Sequence, residues 1–134
     1  MTAEQRTYYD RMGGHETFAA ITRRFYAQVA ADPEFRAMYP EDDLGPAEER
    51  LRMFLEQYWG GPTTYSEQRG HPRLRMRHMP FAVTPTARNT WVRYMSHAVR
   101  ETAAETGMNP ELEAILMDYL TRAADAMINS EEPA

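Results

Sequence analysis

Residues 71–81 read HPRLRMRHMPF, and the fold turns on what this stretch can be. A proline stands near each end, arginines at 73, 75 and 77, and histidines at 71 and 78. In a helix, Leu74 and His78 share one face, Arg77 sits beside His78, and Arg73 and Arg75 turn elsewhere. A helix bounded by Pro72 and Pro80 is too short to be stable alone. It needs a frame to hold it, and His78 points into that frame with Leu74.

Outward from that stretch, apolar residues recur at helical spacing in four places. ETFAAITRRFYAQVAA, residues 16–31, carries Phe18, Ile21, Phe25 and Val29 on one face. Gly13-Gly14 precedes it and Asp32-Pro33 interrupts it. PAEERLRMFLEQYW, residues 46–59, opens with Pro46 at a first helical position and with acids in its first turn. Its inner stripe is Ala47, Leu51, Phe54, Leu55 and Tyr58, and Gly60-Gly61-Pro62 ends it. Gly60 to His71 has no periodicity and reads as a long loop, of the kind that carries function or stays disordered. A third helix opens with Thr84 as N-cap and Pro85, then runs through Trp91, Met95, Ala98 and Val99. A fourth opens with Asn109-Pro110 and shows Leu112, Ile115, Leu116, Tyr119, Leu120, Ala123 and Met127. No strand alternation competes. One all-α domain over residues 1–134 is expected, with four main helices, one short one, and loose ends at 1–8 and 130–134.

Composition narrows the chemistry. Cysteine is absent, which excludes disulfides, thiol catalysis, cysteine-ligated metals and covalent haem through C-x-x-C-H. Lysine is absent too, so Schiff-base chemistry is excluded and all 15 positive side chains are arginine. Any metal rests on His15, His71, His78, His97 or carboxylates. No acid lies between Gln68 and Arg100, where seven arginines stand, so the rest of a chain of net charge −5 carries −12. An anionic ligand is favoured beside that segment, but the acidic remainder speaks against nucleic acid. No apolar run reaches the length of a membrane span and the N-terminus is not signal-like, so a cytoplasmic protein is expected.

His78 has a bland reading, a core histidine satisfied by backbone groups. Three features favour another: its helix is too short and charged to exist for packing alone, a glycine-bounded loop delivers it, and no acid nearby explains an ion pair. A histidine–iron bond to a planar, anionic macrocycle accounts for all three, with arginine or tyrosine receiving the propionates. Zinc at His71 and His78 competes, but the seven-residue spacing lacks a third ligand and Pro72 separates the two.

Beyond these readings, the chain resembles the group II truncated haemoglobins of actinobacterial type along nearly its whole length. Gly13-Gly14, FYAQVAADP (25–33), the stretch from Met38 to Phe81 and Trp91 carry the likeness. The resemblance implies a two-over-two helical sandwich, a shortened globin fold whose helices B, E, G and H, with a reduced helix F, enclose one non-covalent haem b. B maps to residues 16–31, E begins at 46, G at 85 and H at 110. It implies His78 as proximal iron ligand, with Tyr26, Tyr39, Trp91, Ala47 and Leu51 on the distal side. Arg50, Tyr65 and Arg77 are the propionate candidates, with His71 a further one. Phe54, Leu74 and Met95 are expected against the cofactor, and Phe25, Leu55 and Leu116 as cage or core. No specific role is expected of His15 or His97.

Indole N–H only donates and phenol O–H can donate, so three donors can converge on bound dioxygen and stabilise its developing negative charge. Slow release follows, with redox use of oxygen against nitric oxide or peroxide, and a reductase the sequence does not identify. Other small haem ligands are expected to bind, and self-association stays open. A haem peroxidase is the enzymatic rival. It wants a distal base, absent at Ala47, and a carboxylate on the proximal histidine, whereas His78 Nδ1 is expected to donate to a backbone carbonyl such as that of Leu74. Weak peroxidase activity at best follows. A haem-free helical interaction module is the third class.

Overall fold

The computed structural model describes residues 7–71 and 73–132. Among them stand α1 (Tyr8–Met12), α2 (Gly14–Ala30), α3 (Pro33–Arg36), α4 (Gly45–Tyr58), α5 (Thr64–Arg69), α6 (Leu74–His78), α7 (Pro85–Thr106) and α8 (Pro110–Met127), with no strand. The four long helices begin within two residues of their predicted starts, and α6 is the short segment around His78. Local chemistry sets these bounds. Thr84 accepts from the amide of Ala87 at 3.1 Å and Asn109 from that of Glu111 at 2.8 Å, each followed by proline in the first turn. Gly13, at φ 116°, ends α1 and starts α2 in one residue; a Cβ there would meet Thr17 Oγ1 at 2.1 Å.

Helix α2 packs on both α4 and α7, and α7 packs on α8. The pair α2 and α4 thus crosses the pair α7 and α8, the two-over-two sandwich expected. The predicted stripe of α2 is its contribution to the core: Phe18, Ile21, Phe25 and Val29 are fully buried, against Met95, Ala98 and Val99 of α7 and Leu116 of α8. Burying each large side chain of that set contributes about 1.5–3 kcal/mol. The fourth pairing, α4 with α8, is not closely packed. The sandwich is open along that seam, and the gap becomes the site.

Three short helices were not expected. Asp32-Pro33, which ends the periodic run, also starts α3, because Asp32 Oδ1 accepts from the amide of Phe35 at 3.1 Å. Residues 60–71, read as a loop, contain α5; it is held by polar contacts that periodicity cannot show, the Gln57 side chain bonding the amide of Ser66 at 3.0 Å and its hydroxyl at 2.7 Å. Tyr58, placed on the inner stripe of α4, is instead 51% exposed and stacks on Tyr119 of α8 at 3.9 Å between ring centroids. At the ends, the Tyr9 amide donates to Trp59 and the Ser130 amide to Val83. Residues 1–6 and 133–134 of the segments expected to be loose, Pro72 as a helix boundary and the Arg75 side chain lie outside the described part.

Candidate functional site

A cavity of about 520 Å³ occupies the open seam, within the roughly 300–1,000 Å³ usual for a small-molecule or cofactor site. Helix α4 lines it with Ala47, Arg50, Leu51, Phe54 and Leu55, and α8 with Tyr119, Leu120, Ala123, Ala124 and Met127. Tyr26 of α2, Tyr39, Tyr65 of α5, Leu74, Arg77 and His78 of α6, and Trp91 of α7 also line it. Of the residues singled out from the sequence for the site, Met95 does not reach it. Met95 is fully buried between the helices, so its predicted contact with a cofactor is replaced by a core role. His71 is exposed and also off the wall.

Helix α6 is one turn and a half long and cannot hold itself. Its N-cap, Arg73, adopts φ 45° and ψ 49°, a left-handed conformation that costs a non-glycine residue about 1–2 kcal/mol. Anchors from elsewhere offset this. Asn129, beyond the end of α8, donates through Nδ2 to the carbonyls of His78 at 3.2 Å and Phe81 at 2.9 Å, and its Oδ1 accepts from the amide of Val83 at 2.9 Å. Arg77 donates to the carbonyl of Arg69 at 2.8 Å, tying α6 to the end of α5. Within the helix, His78 Nδ1 lies 2.7 Å from the carbonyl of Leu74. A carbonyl only accepts, so Nδ1 carries the proton and the lone pair rests on Nε2, which has no hydrogen-bond partner among the described residues. This is the backbone bond expected for that imidazole, and it leaves one nitrogen ready to coordinate.

Tyr26 and Tyr39 stand edge to face at 5.7 Å between centroids. Burial pushes both phenols upward; Tyr39 rises to about 12, held back in part because it accepts from Tyr26. Both are therefore protonated donors over the whole neutral range. Trp91 packs on Phe25 at 5.5 Å, and its indole N–H has no partner among the described residues. At the rim, Arg50 is bridged to Glu41 at 2.7 Å, which helps its own backbone amide hold that carboxyl below the usual range. Tyr65 is buried against Phe54, with the guanidinium groups of Arg69 and Arg77 about 6 Å over its ring.

Over residues 7–129 the chain matches the family profile described as bacterial-like globin. It belongs to that family. A hemoglobin from the actinobacterium Thermobifida fusca is 56% identical, with TM-score 0.88 over 92% of this chain and 98% of that one. The group II truncated hemoglobin of Bacillus anthracis is 31% identical, with TM-score 0.87 over 96% and 95%. The group 2 truncated hemoglobin of Bacillus subtilis (strain 168) is 34% identical over 89% of this chain and 86% of its own length. This globin is therefore a group II truncated one with a two-over-two fold, and its cofactor is haem b, bound without a covalent link. The cavity fits that group on its own evidence: an apolar slot of sufficient volume, a histidine with a free Nε2 on one wall, and arginine and tyrosine groups in its lining.

A second polar cluster of the globin was missed by sequence reasoning. Glu56 of α4 has a side chain only 4% exposed, and its carboxylate meets Arg52 at 2.6 Å and His15 at 3.0 Å. His15, expected to have no specific role, thus helps satisfy a buried acid. The i,i+4 spacing of Arg52 and Glu56 was the available signal; burial was not readable.

Proposed function

We propose that the globin binds dioxygen at a haem held by His78, releases it slowly, and uses it in redox chemistry directed at nitric oxide or peroxide. When bound, the cofactor supplies a ferrous iron that takes diatomic ligands. The chain's residues do the rest. His78 coordinates through Nε2, and the Leu74 carbonyl fixes its tautomer and ring plane. Arg50, Tyr65 and Arg77 receive the propionates, and Phe54 and Leu74 pack on the ring. Arg50 also shares its charge with Glu41.

The observation that carries this function is the partnerless indole N–H of Trp91 beside the phenols of Tyr26 and Tyr39, on the same cavity as His78. The Trp91 indole and the Tyr39 hydroxyl, itself accepting from Tyr26, are donors that stabilise a ligand accumulating negative charge, and the effect falls mostly on its off-rate. Ala47 and Leu51 leave room for the ligand and provide no base. With a backbone carbonyl on His78 Nδ1 instead of a carboxylate, efficient peroxidase turnover is not supported. The test is the oxygen dissociation rate of the ferrous protein, measured beside its nitric oxide dioxygenation rate. Trp91→Phe is expected to speed release by about tenfold or more, the value of one strong hydrogen bond. An unchanged off-rate removes Trp91 from the ligand network. His78→Ala is expected to abolish the five-coordinate ferrous spectrum; its persistence would refute the ligand assignment.

A further inference from the structure

The outer face of α6 is unlike the rest of the surface. Met76 is 57% exposed and Met79 63%, so two large apolar side chains stand in water within four residues. Arginines surround them. Arg69 and Arg73 are exposed and have no ion-pair partner among the described residues, and no acid stands between Gln68 and Arg100 in the sequence. Arg88, by contrast, is bridged to Asp125 at 2.7 Å. Arg69, Arg77 and Phe81 also line the cavity, so this face and the haem cavity share a wall.

Exposed methionine and arginine around an apolar centre is the composition of a protein-docking surface. The local excess of positive charge, on a chain that is acidic elsewhere, selects an acidic partner and repels a second copy presenting the same face. The patch is small, which suits a brief encounter of the electron-transfer kind. We propose that this face docks an acidic one-electron carrier protein, which delivers its electron through the α6 side of the cavity. The docking role presupposes the haem-binding function above. In the step, the carrier loses one electron, ferric haem gains it and becomes ferrous, and no proton or bond is exchanged.

The haem-loaded protein is titrated with a strongly acidic [2Fe–2S] ferredoxin by calorimetry, and its reduction by the reduced ferredoxin is followed at the Soret band. Binding is expected to weaken with salt, and to fall about tenfold or more in Arg73→Asn and in Met79→Glu. Asparagine tolerates the left-handed backbone of Arg73, so the first variant removes charge without loss of α6. Reduction by dithionite, which needs no docking, is expected to stay unchanged in both. Ferredoxin affinity unaltered by the variants, equal binding of a basic carrier, self-association abolished by Met79→Glu, or stronger binding to anionic vesicles would each overturn the proposal. A chain that takes up no haem would overturn the oxygen-binding function along with it, whereas a loaded chain that ignores ferredoxin refutes the docking surface alone.

Discussion

At the scale of single residues, chemistry was legible where a residue type has few structural uses. His78 could be singled out because a charged helix of a few residues has little reason to exist for packing, and its Nδ1 partner followed from helical geometry one turn back. Met95 misled because a methionine on the inner face of α7 looks the same from sequence whether it meets a cofactor or a neighbouring helix; here it meets helices. Glu56 was invisible, since an acid amid a helix reads as solvated by default. Its burial makes a sharp prediction. Arg52→Met leaves a carboxylate that is almost wholly enclosed with only the half-exposed His15 and the Tyr9 hydroxyl at 3.4 Å. Urea unfolding should show a loss of about 2–3 kcal/mol. A change within about 0.5 kcal/mol, the usual effect of a surface substitution, would mean that the pair is not contributing.

At the scale of elements, the long helices were readable because each carries its own apolar stripe, and α7 and α8 their own N-caps as well. Helix α3, capped by its own Asp32, is four residues long and too short to show a stripe, and α5 is held by the Gln57 side chain of another helix. Helix α6 was readable as a segment but not as a stable one. Its stability comes from Asn129, fifty-one residues along the chain from His78. Asn129→Ala removes the bonds to the His78 and Phe81 carbonyls and to the Val83 amide. Hydrogen exchange at the Arg77 and Met79 amides is expected to accelerate at least tenfold, with the α2 core amides unchanged. Uniform acceleration across α2 and α6 would show that Asn129 stabilises the whole fold instead.

At the scale of the whole molecule, the buried tyrosines set a limit on alkaline stability. The folded state holds Tyr39 at about 12 against an ordinary 10.0, and Tyr26 is raised as well. Between those values the unfolded chain has given up protons that the folded chain keeps, so stability is intact below pH 10 and falls as pH rises towards 12. Tyr39 alone accounts for about 2 kcal/mol over that window. The absence of lysine makes this measurable, since no ammonium side chain titrates in the same range. Urea midpoints at pH 8, 10 and 11 should decline, and the decline should be shallower in Tyr39→Phe; an equal slope in the variant would assign the loss elsewhere. The sequence by itself determined the long helices, their order and the short segment that carries His78, because periodicity, turn residues and a short charged helix are local properties. Only the tertiary structure decided that α4 and α8 stand apart, that Tyr26, Tyr39, Trp91 and His78 line one cavity, and that Asn129 fastens α6. Those facts depend on how distant surfaces pack, and the volume left between packed surfaces is recorded at no single position in the chain.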